Sequence, residues 1–110
     1  MSYSILTLSV FDKQLKRLAR KYPSIKADLA QLAEELLANP TLGKSLGSNF
    51  YKVRLKITSK RTGKAGGARV ITYVKLVNAT ITLSFIYDKA ERSTVSEDEL
   101  DSLLTLLEDS

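Results

Sequence analysis

Residues 50–57 read Phe-Tyr-Lys-Val-Arg-Leu-Lys-Ile, and from Lys52 onward the alternation is strict. Val53, Leu55 and Ile57 fall on one side of an extended chain, and Lys52, Arg54 and Lys56 on the other. This is the signature of a strand with one face in a core and one face carrying charge. The three cations recur about 7 Å apart along the strand, close to the spacing of successive phosphates on a nucleic acid strand. The charge is not confined to this strand. No acidic residue lies between Glu35 and Asp88, whereas Lys44, Lys52, Arg54, Lys56, Lys60, Arg61, Lys64, Arg69 and Lys75 all do. Ordinary solvated faces mix both signs, so a one-signed block on a rigid frame points to a polyanionic partner, nucleic acid above all.

Outward from this strand, the flanking segments complete an α+β pattern. Upstream, Tyr3 to Val10 is rich in strand formers. Phe11, Leu15, Leu18, Ala19 and Tyr22 then mark one face of a helix that Pro23 ends. Ser24 is placed to cap a second helix whose stripe is Ile25, Leu29, Leu32, Ala33, Leu36 and Leu37, and Asn39-Pro40 stops it. Thr41 to Asn49 reads as loop. Downstream, Thr58 to Gly67 reads as a flexible basic loop, Ala68 to Leu76 as a strand and Val77-Asn78-Ala79 as a hairpin connection. Thr80 to Tyr87 reads as a last strand, with Ile81, Leu83, Phe85 and Tyr87 on one face. Ser96 and Glu99 form a capping box, and Leu100, Leu103, Leu104 and Leu107 form the stripe of a final helix. The expected order is β-α-α-β-β-β-α: an antiparallel-rich sheet with a helical hairpin on one face, in a single domain spanning residues 1–110. The core face is expected to hold Val53, Leu55, Ile57, Val70, Val74, Leu83 and Phe85.

Composition narrows the chemistry. The 110 residues carry a net charge of +5, with a hydrophobic share of 44% and a charged share of 26%, values of an ordinary globular domain. There is no cysteine and no histidine, which removes thiolate metal sites, zinc enzymes and Ser-His-Asp hydrolases. No cofactor or metal is expected. No apolar run is long enough to span a bilayer, and the N-terminus lacks the pattern of a signal peptide, so a cytoplasmic protein without a membrane partner is expected. Gly63, Gly66 and Gly67 do not form a nucleotide loop, because the G-x-x-x-x-G-K-[ST] spacing is missing and a strand follows.

A histidine-free basic surface can still cut RNA if the 2′-hydroxyl attacks the adjacent phosphate. Arginines and lysines stabilise the charge that develops at phosphorus. A lysine crowded by cations has a lowered pKa and can exchange a proton, and Lys52 and Lys56, flanking Arg54, are placed for this. Equally, the same residues can simply hold phosphates, with Tyr73 and Tyr87 as stacking surfaces.

Three segments carry a family resemblance: Phe50 to Leu55 (FYKVRL), Gly66 to Val74 (GGARVITYV) and Phe85 to Ser96 (FIYDKAERSTVS). In this order they resemble the RelE/ParE toxin superfamily of bacterial type II toxin–antitoxin modules, nearest its HigB-like branch. The resemblance implies a compact toxin that cleaves messenger RNA on the 70S ribosome, in the A site, and is silenced by a cognate antitoxin. It implies catalytic roles for Lys52, Arg54 and Arg69, with Lys56 as a further basic position. Lys89 and Arg92 match a C-terminal basic turn, and Lys60, Arg61 and Lys64 extend the RNA-binding surface. The family's tyrosine after that turn is missing, since Ser93-Thr94-Val95-Ser96 stands there; Tyr87 or Tyr73 is the substitute. A gyrase poison of the ParE type, or an RNA-binding domain without activity, are the alternatives.

Overall fold

The computed structural model describes residues 2–60, 63 and 66–108. The chain runs β1 (Ser4–Thr7), α1 (Ser9–Lys21), α2 (Ile25–Ala38), β2 (Lys44–Gly47), β3 (Phe50–Leu55), a 3-10 turn (Thr58–Lys60), β4 (Ala68–Lys75), β5 (Thr80–Asp88) and α3 (Glu97–Glu108). The five strands form one sheet in the order β1-β5-β4-β3-β2. β1 lies parallel to β5, and the other neighbours are antiparallel.

The α+β class and the order of helices and core strands follow the sequence reading, with local differences. The first strand ends at Thr7 rather than Val10, because Leu8 is the last extended residue before α1. The segment read as loop over 41–49 contains β2. Its hairpin to β3 turns through Ser48 and Asn49, both with positive φ (52° and 68°). Two consecutive left-handed residues give the twist that an antiparallel hairpin needs. The expected loop over 58–67 begins as a 3-10 turn. Ser24 precedes α2 but makes no side-chain cap to its backbone. Its hydroxyl instead donates to Asp28 (2.8 Å) and accepts the Ser59 N–H (2.8 Å), which ties the 3-10 turn to α2.

The sheet is buried on both faces. The α1–α2 hairpin covers one, where Phe11, Leu18, Ile25, Leu32 and Leu36 meet Val53, Leu55, Ile57, Val70, Ile81, Leu83 and Ile86. α3 covers the other, where Leu103 and Leu107 meet Phe50, Ile71, Phe85 and Tyr87. Phe85 therefore does not share a face with Leu83, contrary to the alternation read from sequence. The pairing steps from Ile71↔Phe85 to Thr72↔Leu83, leaving Ser84 as an extra residue. This β-bulge reverses the parity of β5, as one inserted residue must.

Two ionic clusters fasten the periphery. The wholly buried Asp88 accepts from Lys60 Nζ (2.6 Å), the Tyr22 hydroxyl (2.6 Å) and the Ala90 N–H (3.0 Å), joining α1, the 3-10 turn and the chain after β5. These donors hold its carboxyl below the ordinary carboxylate range, against the upward pull of burial. At the start of α3, Ser96 and Glu99 form the capping box, with N–H bonds of 2.9 and 3.1 Å. Arg92 pairs with both Glu99 oxygens.

Removing the Asp88 carboxylate (Asp88→Ala) leaves Lys60 as a nearly buried, uncompensated cation. We expect a loss of about 3–5 kcal/mol in urea unfolding. The Arg92 guanidinium, with the Ser96 amide and hydroxyl, lowers the Glu99 carboxyl from 4.5 to about 2. A lowered folded pKa stabilises fully above the unfolded value and is lost as pH falls through the folded one. Glu99→Gln is therefore expected to unfold more readily than the parent above pH 4.5, the difference closing as pH approaches about 2. Acid-unfolding curves of the two proteins check this.

Candidate functional site

The β3–β4 register sets Arg54 directly opposite Arg69 and Lys52 opposite Ile71. Directly opposed residues share a sheet face, so Lys52, Arg54 and Arg69 project to the side away from the helical hairpin. β2 adds Lys44 across from Lys52, and the turn after β5 adds Lys89. These five cations line one cleft of about 550 Å³, whose walls also include Glu35 from α2 and Ser93. Gly43 makes the tight approach possible. Its φ is +102°, and a Cβ there would stand 2.5 Å from the Lys52 carbonyl oxygen.

The crowding has a chemical consequence. Burial, and then the charges of Lys44, Arg69, Lys89 and Arg54, push the Lys52 ammonium below its usual range. All of these causes act in the same sense, since each disfavours a second positive charge in a confined space. Arg69 is only 5% exposed, and its guanidinium bonds the Ala68 carbonyl (3.1 Å), so its orientation is fixed from behind. The cleft thus presents preorganised cations and one lysine whose charged form is less favoured than usual. That combination suits a phosphate, and a phosphate gaining charge most of all.

The other residues singled out from sequence divide sharply. Lys56 lies past the end of β3 and lines a smaller recess of about 180 Å³ with Asp28, Gln31, Glu35, Arg54 and Thr58, not the main cleft. Tyr87 pairs with Arg69 across the sheet but is 3% exposed. Burial raises its pKa, and the nearby Arg69 and Arg92 only partly oppose this, so its phenol is disfavoured as a base. Tyr73 packs on Phe50 (ring centroids 5.2 Å apart) in the cluster beneath α3 rather than offering a stacking surface in the cleft. Lys60, read as a loop residue for RNA, is instead bound to Asp88. Arg92 is likewise committed: it pairs with Glu99, bonds the Thr94 carbonyl (3.0 Å) and lies over the Phe85 and Tyr87 rings. Arg61 and Lys64 lie outside the described residues. Lys44, Glu35 and Ser93 were not singled out for the site. For Lys44 the signal was present in Gly47-Ser48-Asn49, a turn that folds Lys44 back onto Lys52.

Lys44→Ala removes the largest charge acting on Lys52, so the Lys52 ammonium is expected to titrate at higher pH than in the parent. NMR titration of its side-chain nitrogen checks the direction. An unmoved or lowered midpoint would show that the two lysines do not share the cleft.

Residues 9–109 match the family model described as the RelE toxin of the RelE/RelB toxin–antitoxin system. Among solved structures the chain is similar to the E. coli toxin RelE. A free-state mutant of that toxin with two arginines changed to alanine shares 15% identity, with 96% of this chain and 97% of that chain covered and a TM-score of 0.62. The isolated E. coli RelE toxin shares 16% identity over 94% of this chain and 98% of its own, with a TM-score of 0.57. At these identities the structural likeness speaks for the fold, and the family model for the family. No helix among the described residues is long and apolar enough to cross a membrane.

Proposed function

The chain belongs to the RelE toxin family, and on that premise we propose that it is a ribosome-dependent endoribonuclease that cuts messenger RNA in the A site and is held in check by a cognate antitoxin. The observation that carries the reading is the convergence of Lys44, Lys52, Arg54, Arg69 and Lys89 on one cleft, with the Lys52 ammonium disfavoured by burial and then by that convergence.

The chemistry needs no cofactor. The 2′-oxygen attacks phosphorus, the bond from phosphorus to the 5′-oxygen breaks, and a 2′,3′-cyclic phosphate and a 5′-hydroxyl result. Arg54 and Arg69 face the same volume from paired strands and stabilise the phosphorane, whose charge exceeds that of the ground state. Lys52 exchanges protons with the reacting oxygens, because its lowered pKa brings its neutral and charged forms closer in energy. Lys44 and Lys89 hold flanking phosphates. The ribosome supplies the remaining alignment, which is why free RNA is expected to be cut poorly.

Arg54→Ala and Arg69→Ala are each expected to raise the barrier by about 3 kcal/mol, or roughly a hundredfold in single-turnover cleavage on programmed ribosomes. Lys89→Ala is expected mainly to weaken binding and flatten its salt dependence. Equal losses of binding and cleavage in all three would reduce the cleft to an RNA-holding surface. Expression without antitoxin is expected to stop translation. Continued translation with halted replication and gyrase–DNA adducts would replace this reading by a gyrase poison.

A further inference from the structure

The basic cleft does not end at Arg54. Leu32, Glu35 and Arg54 line both the cleft and the 180 Å³ recess beyond it, so the two cavities adjoin one another. Their chemistry differs. The cleft gathers five cations beside Glu35, whereas the recess, which keeps Arg54 and Lys56, adds Asp28, Gln31 and Thr58. Asp28 is already spent. Its Oδ1 accepts from the Thr58 hydroxyl (2.6 Å), and its Oδ2 accepts from the Thr58 N–H (2.9 Å) and the Ser24 hydroxyl (2.8 Å). Gln31 and Glu35 are different. They are four residues apart on α2, hence on one helix face, and both are exposed. Among the described residues neither side chain has a hydrogen bond or an ion pair.

A carboxylate beside a phosphate site repels phosphate, so Glu35 must face a different part of the ligand. In single-stranded RNA the group adjoining each phosphate is a nucleoside, read by hydrogen bonds to its base edge. A carboxylate offers two acceptors side by side. Guanine alone presents two adjacent N–H donors on its Watson–Crick edge, at N1 and N2, whereas adenine presents an acceptor next to its amino group. We infer that the recess is a base-reading subsite, in which Glu35 accepts from N1–H and N2–H of guanine while the adjoining phosphate lies among the cations of the cleft. Gln31, one turn earlier, has both a donor and an acceptor for the remaining base-edge atoms. The inference rests on the proposed RNA-cleaving function and adds a specificity determinant to it.

Two measurements test the subsite separately from that function. The first compares single-turnover cleavage of A-site codons that differ in one base, for the parent protein and for Glu35→Ala and Glu35→Gln. Both variants are expected to lower the ratio of guanine to adenine cleavage at one codon position by about tenfold or more, because glutamine has only one acceptor where two are needed. An unchanged ratio, or an equal loss at every codon, would overturn the inference. The second uses guanosine 3′-monophosphate and adenosine 3′-monophosphate as probes, with binding followed by NMR at the Gln31 side-chain amide. The parent protein is expected to prefer the guanosine nucleotide, and Glu35→Ala to lose that preference. Equal affinities in the parent would overturn the subsite while leaving cleavage intact. A guanosine preference without cleavage on ribosomes would leave the subsite standing and overturn the nuclease reading.

Discussion

Arg54 and Arg69 stand opposite one another on hydrogen-bonded strands, and the fold is organised around holding that like-charge pair together. Directly opposed like charges destabilise a sheet, and Lys44 opposite Lys52 adds a second such pair. An isolated hairpin would relieve the repulsion by slipping or fraying. Here it cannot. β4 is held between β3 and β5 in the middle of the sheet, and one hydrophobic cluster fills each face beneath and above it. Burial of both faces makes register a matter of many apolar side chains at once, and the electrostatic cost is small against that. In the folded state burial, and then the repulsion from Lys44, Arg69, Lys89 and Arg54, lower the Lys52 pKa.

The bulge at Ser84 determines the sign of the cleft. With unbroken alternation, Ile81, Leu83, Phe85 and Tyr87 would share the hairpin face, and Asp88 would point to the cationic side. A carboxylate opposite the two arginines would neutralise the site. The extra residue reverses the parity, sends Tyr87 to the cleft face beside Arg69 and sends Asp88 to the hairpin face. There Asp88 meets Lys60 and Tyr22 instead. One inserted residue therefore accounts for both the stabilising ion pair and the exclusion of Asp88 from the cleft. Lys89, next in the chain, is carried into the cleft as a result.

Much of this was legible in the residues, and what was not has identifiable physical causes. The alternation from Lys52 to Ile57, the Pro23 break and the Ser96–Glu99 box are local signals, and local interactions fix them. The Ser84 bulge is not local. It answers a mismatch between β4 and β5 that exists only once they pair, and Ser84 itself is an unremarkable strand residue. β2 is short and exposed, so it lacks the apolar periodicity that marks a strand, and only the Ser48-Asn49 turn betrays it. The roles of Lys60 and Arg92 were misread for a related reason. A basic residue in a loop reads as a free cation until its partner is known, and those partners, Asp88 and Glu99, are reached only through the tertiary fold or a turn.

The distribution of acids resolves the one-signed block with which the sequence reading began. Three of the acids near the block are tied to cations. Asp88 and Glu91 take up Lys60 and Arg17 on the hairpin side, and Glu99 takes up Arg92 at the start of α3. Each such pairing removes a cation from competition for a ligand, and each also fixes an element that borders the cleft. The lysines and arginines left facing the cleft are therefore concentrated by subtraction as well as by strand geometry. Glu35, which closes the block on its N-terminal side, is not among them. It reaches the cleft wall without a cationic partner among the described residues. At the edge of the cationic cleft, this carboxylate is placed for the neutral, hydrogen-bonding group that adjoins a bound phosphate.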